Sequence, residues 1–371
     1  MQQAMLPVSP KVPVTLVTGF LGAGKTTLLR HLLSTANGRR FVVVENEFGD
    51  VGVDGSLLAP VCDLLFELTE GCVCCTVRED LVELFRSLAG RTDSFDHVLI
   101  ETSGMATPGP VLQVFELPEL RGIFELDGVV TVVDAVNVSQ DLDEVKTCAE
   151  QVATADLLIL NKSDRASPDS LQQLKQRLSA INPLARQVQA VQAQVPLQTL
   201  LQLRGADSPA SGHSHSHSHG HSHSHSHGHG HSHSDHSDHS DHSDHGDHGD
   251  HSHNHASLDH KHADDITSVV ARITGDVNLA ALDRWLGRLV NRRDIDLLRM
   301  KGILSVPGHE RRFVFHGVRR AIEVRPDQPW GSQDRHTHLV FIGRGLVAQE
   351  LCDGLQRCQA SAERTGKSGV T

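Results

Sequence analysis

A chain of 371 residues exceeds the size at which single hydrophobic cores stop growing, about 250–300 residues, so two domains are expected. The net charge of −12, with histidine counted as neutral, and the scattering of the arginines argue against a nucleic-acid partner. No apolar run approaches the ~18–20 residues that span a bilayer, and no charged-then-apolar leader pattern is present. We therefore expect a cytoplasmic protein without a membrane partner.

The first chemical motif lies between a strand-like apolar run, 12–17, and a helical one, 28–33. Residues 19–27 read GFLGAGKTT, which has the spacing of a P-loop. In such a loop the glycines let backbone N–H groups face a phosphate, the lysine reaches the β- and γ-phosphates, and the following threonine hydroxyl takes a Mg²⁺ position. The predicted phosphate-binding residues are Gly19, Gly22, Gly24, Lys25, Thr26 and Thr27. Lys25 and Thr26 are also candidate catalytic residues.

Short apolar runs alternate with amphipathic helical segments as far as about residue 203. This pattern predicts an α/β fold, a P-loop domain with a mostly parallel sheet covered on both faces. In such a sheet, ligands bind at the carboxyl ends of the strands. The other predicted strands are 41–44, 64–68, 97–100, 129–133, 157–160 and 188–191.

Three cysteines lie within four residues, at Cys72, Cys74 and Cys75, immediately before a predicted helix. Thiol pKa values are lowered at helix N-termini, so the placement favours thiolates that coordinate Zn²⁺ or Cu(I). Three sulfurs leave a tetrahedral ion one ligand short. The candidates for a reversible fourth ligand are Glu45, Glu47 and Asp50. Three buried structural cysteines are the alternative interpretation.

Two further motifs follow apolar runs directly. Glu101 would hold Mg²⁺ or its water as a third catalytic residue, or is a solvated residue at a strand end. Asn161, Lys162 and Asp164 follow the run 157–160 in an NKSD tetrapeptide. A fixed aspartate can accept both the ring N–H and the exocyclic amino group of guanine, whereas adenine lacks that pair of donors. These three residues are predicted to hold the base, and GTP is favoured over ATP.

The composition changes sharply near residue 204. Of the 27 histidines, 21 lie between His213 and His262, alternating first with serine and later with Ser-Asp or Gly-Asp pairs. Nothing in this tract can bury a core, so it is predicted to be a disordered linker. Imidazoles at this density would bind Zn²⁺, Ni²⁺, Co²⁺ or Cu²⁺ with low specificity, unless the tract is a spacer with incidental metal affinity.

After the tract, one helix interrupts a run of strands, which predicts a smaller α+β domain with an antiparallel sheet. It carries no catalytic constellation, so it either recognises a partner or supports the first domain. The predicted organisation is a tail at 1–11, the P-loop domain at 12–203, the linker at 204–263, the second domain at 264–358 and a tail at 359–371.

Seven motifs together resemble the CobW-type family of metallochaperone GTPases, relatives of the urease and hydrogenase nickel-insertion GTPases. They are GFLGAGKTT at 19–27, ENEFG at 45–49, GCVCC at 71–75, ETSG at 101–104, NKSD at 161–164, RMKGI at 299–303 and LVFIGR at 339–344. The resemblance covers nearly the whole chain, and its closest branch is the zinc-transferring one. Cobalt delivery to cobalamin synthesis and iron delivery to nitrile hydratase are sibling roles.

The resemblance implies that Zn²⁺ is carried on the Cys-x-Cys-Cys motif and passed to client metalloproteins with GTP hydrolysis. GTP, Mg²⁺ and Zn²⁺ are the expected cofactors, and the sequence leaves a homodimer open. Two rival hypotheses are a metal buffer, whose histidine tract stores zinc under a regulatory GTPase, and an ordinary regulatory GTPase with structural cysteines. The second rival leaves the histidine tract unexplained.

Overall fold

A computed structural model describes residues 11–47, 64–69, 76–201, 203 and 266–360. All of them belong to one compact unit. None of the helices in these ranges is long and apolar enough to cross a membrane.

The N-terminal part of the unit contains a parallel sheet, as predicted. Within the described residues this sheet has seven strands, which are β1 Val12–Thr18, β2 Phe41–Glu47, β3 Leu64–Thr69, β4 His97–Thr102, β5 Phe124–Asp134, β6 Leu157–Asn161 and β7 Arg186–Gln189. Their order across the sheet is β3-β2-β4-β1-β5-β6-β7. The central strands are buried on both faces, which explains why they read as continuous apolar runs.

Helices cover both faces of this sheet because neighbouring strand residues point to opposite sides. On β2, Val43 packs in the cluster that contains Leu28 and Leu32, whereas Val42 packs in the cluster that contains Leu81 and Phe85. The helices are α1 Lys25–Ser34, α2 Thr76–Ala89, α3 Gly109–Val114, α4 Pro118–Arg121, α5 Val138–Glu144, α6 Lys146–Thr154, α7 Pro168–Ile181 and α8 Leu197–Leu200.

The last predicted strand of this sheet is displaced. The sequence predicts a strand at 188–191, but β7 ends at Gln189. Val191 is 44 % exposed, and the chain turns at Gln192 and Ala193, which both have positive φ. The apolar pattern placed the strand too late in the chain because it does not reveal this turn. The turn brings the Ala193 N–H to the side chain of Asn161.

The C-terminal part contains an antiparallel sheet, which confirms the predicted second fold. Within residues 266–360 the elements are β8 Thr267–Thr274, α9 Leu279–Leu289, β9 Asp296–Leu304, β10 Arg311–Val318, β11 Ala321–Pro329, β12 His336–Arg344 and α10 Ala348–Gln356. The strand order is β11-β10-β9-β12-β8. Helices α9 and α10 cover one face around Phe315 and Phe341.

The other face of the antiparallel sheet packs against the first domain. Leu298, Val340 and Ile342 form an apolar cluster with Ala153, which lies on α6. Helix α6 therefore contacts the parallel sheet through one side and the C-terminal sheet through another.

Candidate functional site

The loop between β1 and α1 needs its glycines. Gly19, Gly22 and Gly24 have φ values of 141°, 68° and 106°, a region that side chains disfavour. A Cβ atom on Gly19 would lie 2.2 Å from the carbonyl oxygen of Val132, so the loop runs directly against β5. The backbone is thus curled as a phosphate-binding loop requires, and the N-terminus of α1 follows at Lys25.

The side chains that open α1 point back toward this loop. The Lys25 amine lies 3.5 Å from the carbonyl oxygen of Phe20, folded over the loop that a phosphate would enter. The Thr26 hydroxyl donates to the Glu101 carboxylate at 3.1 Å. A hydroxyl and a carboxylate are the hard oxygen ligands that Mg²⁺ prefers, so these two side chains fit that ion.

A second carboxylate lies beside Glu101. Glu45 on β2 is the register partner of Glu101 on β4, and both side chains are buried, with 2 % and 5 % exposed. The other neighbour of β2 is β3, in which Glu67 is paired with Glu45. The carboxyl ends of β4, β2 and β3 are therefore adjacent along one edge of the sheet.

Asn161 connects the phosphate loop to the loop that follows β7. Its side-chain amide donates to the Ala23 carbonyl oxygen at 2.8 Å and accepts from the Ala193 N–H at 2.7 Å. A Cβ atom on Gly24 would lie 2.5 Å from the Asn161 amide nitrogen. The asparagine thus fixes how the two loops approach each other, which sequence reasoning did not anticipate.

Of the two other motif residues, Lys162 is fixed by an ion pair, whereas Asp164 is exposed to solvent. Lys162 has φ 58°, and its amine pairs with Asp134 at 2.8 Å. Burial opposes ionisation of Asp134, but hydrogen bonds from Lys162 and from the Val136 N–H hold its pKa below the ordinary value. Asp164 is exposed on the short 3-10 helix Ser163–Arg165, where it can reach a ligand.

Sequence reasoning also missed Asp134 itself. It ends β5 at the same sheet edge as the other motifs and is the partner of Lys162. Its place directly after the predicted strand 129–133 is a signal that could have identified it.

Most of the predicted zinc site lies outside the described residues. This is the case for Cys72, Cys74, Cys75 and Asp50, and for the histidine tract. The described ranges contain no cluster of three or more histidine, cysteine, aspartate or glutamate side chains able to hold a metal ion. Along the chain, the cysteines come between the end of β3 at Thr69 and the start of α2 at Thr76.

Two family models match the chain. Residues 13–189 match "CobW/HypB/UreG, nucleotide-binding domain", and residues 266–359 match "Cobalamin synthesis protein cobW C-terminal domain". A protein of Pseudomonas aeruginosa named zinc chaperone CobW is 35 % identical over 94 % of this chain and 92 % of its own length. Escherichia coli zinc chaperone YjiA is 32 % identical over 92 % of this chain and 96 % of its own.

A solved structure supports the same relationship. The crystal structure of the Zn(II)-bound YjiA GTPase from Escherichia coli superposes with a TM-score of 0.62 and 27 % identity. The match covers 95 % of this chain and 100 % of that one.

Proposed function

Because the chain belongs to the CobW/HypB/UreG family of nucleotide-binding proteins, we propose that it is a GTPase that carries Zn²⁺ and transfers it to client metalloproteins. The observation that carries this proposal is that Glu45 and Glu101 lie opposite each other in the register of the adjacent strands β2 and β4. Glu101 belongs to the nucleotide site through Thr26, while β2 also borders β3, the strand that precedes the cysteines. If the cysteines bind zinc, the nucleotide site and the metal site would be attached to neighbouring strands.

The first domain supplies what phosphoryl transfer to water needs. The Lys25 amine would stabilise the negative charge that develops on the β- and γ-phosphates. Thr26 and Glu101 would hold Mg²⁺, which neutralises phosphate charge when bound. Asp164 would select guanine by accepting two hydrogen bonds from the edge of the base.

We propose that zinc binds to Cys72, Cys74 and Cys75, with a fourth ligand from Glu45 or Asp50. A closed structural zinc site binds with about 10–16 kcal/mol, which would make spontaneous transfer slow. A fourth ligand on a segment that senses the γ-phosphate changes this, because its withdrawal opens a position for a ligand from the client. Hydrolysis would then loosen the metal.

The histidine tract favours a second candidate, a zinc buffer with a regulatory GTPase. Its 21 histidines offer many more metal ligands than one transfer site requires. Deleting residues 213–262 separates the two functions, since buffering would vanish with the tract and transfer would survive.

The experiment follows zinc release from the tract-deleted protein loaded with one Zn²⁺. A chromophoric chelator reports free zinc after GTP is added, and the matched control is the Lys25→Ala variant, which should not hydrolyse GTP. We expect release that keeps pace with hydrolysis in the parent and is absent from the control. Equal release from both proteins, or zinc retained after all three cysteines are changed to serine, would contradict the proposal.

A further inference from the structure

The loop that follows β4 is held by a glutamine from α6. Gln151 is almost fully buried, and its side-chain amide donates to the carbonyl oxygens of Gly104 at 3.1 Å and Ala106 at 3.0 Å. The loop lies close to the phosphate loop, since a Cβ atom on Gly104 would be 2.8 Å from the Leu21 nitrogen. Gln151 therefore helps to fix the position of this loop beside the phosphate loop.

The residue before Gln151 binds the C-terminal domain. The Glu150 carboxylate pairs with Arg344 at 2.8 Å and with Arg319 at 3.4 Å. Arg319 also pairs with Asp296 at 2.9 Å, so its guanidinium is fixed from two sides. Adjacent residues of one helix thus hold the β4 loop and the second domain.

Arg319 reaches the β4 loop by a second route. It lies in the turn between β10 and β11, with φ 50°, and its N–H donates to the Leu298 carbonyl oxygen at 3.2 Å. A Cβ atom on Gly109 would lie 2.7 Å from the Arg319 Nε atom. Gly109 begins α3, the helix into which the β4 loop leads.

We propose that the C-terminal domain is a built-in regulator of GTP hydrolysis and that it acts through Arg319. The inference rests on the proposed GTPase function. Arg319 against Gly109, and Glu150 beside Gln151, fix the position of the β4 loop. Because Gly104 on this loop packs against Leu21 of the phosphate loop, the γ-phosphate of a bound nucleotide would meet the β4 loop correctly only while the C-terminal domain is seated. Arg319 and Gln151 are positioning residues, because neither lies at the phosphate site itself.

The Gln151 side chain would allow a second hydrogen-bond arrangement of the β4 loop. The Gln151 amide oxygen is buried and accepts no hydrogen bond from the described residues. Since an unpaired buried acceptor is unfavourable, a shift of the loop that brought an N–H group to this oxygen would gain a bond while losing those at the carbonyls. A client protein that binds the C-terminal domain would, by reciprocity, bind differently to the GTP and GDP forms.

The test measures steady-state GTP hydrolysis by the full chain and by two variants that displace the same contact. Arg319→Ala deletes the guanidinium, and Gly109→Ala pushes it away without changing the C-terminal domain. Both should lower kcat by about fivefold or more, the lower end of typical coupling. KM and GDP affinity should not change, because the phosphate loop and Asp164 are untouched.

The matched control is Arg292→Ala, whose guanidinium pairs with Asp294 and Glu350 within the C-terminal domain. This variant should hydrolyse GTP like the parent. The Gln151→Met variant removes the amide donors at nearly constant length, and its effect should combine non-additively with that of Arg319→Ala because both act on one loop.

An unchanged kcat in Arg319→Ala and Gly109→Ala would overturn the inference while leaving the proposed GTPase function intact. So would a Gln151→Met/Arg319→Ala double variant whose fold-reduction in kcat is the product of the two single reductions. A parent protein that fails to hydrolyse GTP would instead overturn the proposed function.

Discussion

The two edges of the parallel sheet use charge in opposite ways. At the carboxyl edge, Asp164 is exposed and Lys25 and Glu101 surround a loop shaped for phosphate. At the amino edge, Asp156 precedes β6 and is enclosed by cations of the C-terminal domain. The charged residues proposed to bind a ligand thus line the edge that carries the phosphate loop, whereas the charges that join the domains are neutralised by the protein itself.

The buried cluster at the amino edge is tightly connected. The Asp156 carboxylate pairs with Arg299, which is fully buried, and with Lys301 at 2.8 Å, and it accepts the Val129 N–H at 2.9 Å. Burial alone would raise the pKa of Asp156, but the charges of Arg299 and Lys301 hold it well below the ordinary value. His316 lies 3.6 Å away, and burial lowers its pKa to about 3, so it stays neutral.

The largest effect is expected on GTP turnover, from a substitution at the carboxyl edge of the sheet. Lys25→Ala should reduce GTP turnover by about 10³-fold or more, because it removes the charge that faces the β- and γ-phosphates. The free energy of unfolding should change little. Steady-state phosphate release and urea unfolding measure the two quantities, with Lys175→Ala on α7 as the control. If Lys25→Ala still hydrolysed GTP like the parent, the active site would lie elsewhere in the protein.

A substitution at the amino edge should lower stability more than turnover. Asp156→Ala leaves two cations buried without their carboxylate and should lower the free energy of unfolding by about 3–5 kcal/mol. Turnover per folded molecule should fall far less than in Lys25→Ala, because Asp156 can act on the phosphate site only through the seating of the C-terminal domain. The matched control is Asp96→Ala, which removes an exposed pair with Arg40 and should change stability little. Equal effects of the two substitutions in urea unfolding would refute the distinction between buried and exposed pairs.

Base selection gives a smaller effect at the carboxyl edge. Asp164→Asn should weaken GTP binding by about 10–100-fold, since a hydrogen bond to a charged group contributes about 1.5–3 kcal/mol. ATP binding should not weaken, because adenine lacks the matching donors. Fluorescent-nucleotide displacement measures both affinities, and Asp169→Asn in the first turn of α7 serves as the control. The base-edge argument is wrong if the ratio of GTP to ATP affinity stays the same.

The strands and the phosphate loop could be predicted because their causes are local. Apolar runs bounded by glycine and polar residues define buried parallel strands, and the spacing of Gly19, Gly24 and Lys25 defines the turn. Six of the seven N-terminal strands occur where the sequence predicts them, within the part that the structure describes. The seventh ends earlier than predicted, at Gln189, and the chain then turns at Gln192 and Ala193.

Contacts between distant segments could not be predicted. Lys162 was expected to hold the base, and its pairing with Asp134 is set by how two loops meet. The sequence likewise gave no reason to join Asp156 to Arg299, which lie 143 residues apart. The motif that contains Arg299 was recognised only by resemblance, and its physical role as a domain connection emerges from the fold.

A pH-dependent effect should also come from the amino edge. His97 begins β4, bonds to Thr15 at 2.9 Å, and has its pKa lowered to about 4 by burial. An unfolded histidine takes up a proton near pH 6.5, so the unfolded state binds more protons between these values and stability falls as the pH falls. From pH 7.5 to pH 5 His97 alone should remove about 2 kcal/mol.

Urea unfolding of the tract-deleted protein at the two pH values measures this loss. The His97→Gln variant should lose correspondingly less, because glutamine can keep the bond to Thr15 without taking a proton. An identical pH dependence in parent and variant would show that His97 does not contribute.

The central claim is that nucleotide state controls zinc affinity, and one equilibrium measurement tests it directly. Competition with a chromophoric chelator gives the zinc affinity of the tract-deleted protein, once with a non-hydrolysable GTP analogue and once with GDP. The account predicts a difference of at least about tenfold, or 1.4 kcal/mol of coupling, that disappears when Cys72, Cys74 and Cys75 are changed to serine. Identical affinities in the two nucleotide states would contradict it, because hydrolysis would then have no metal equilibrium to drive.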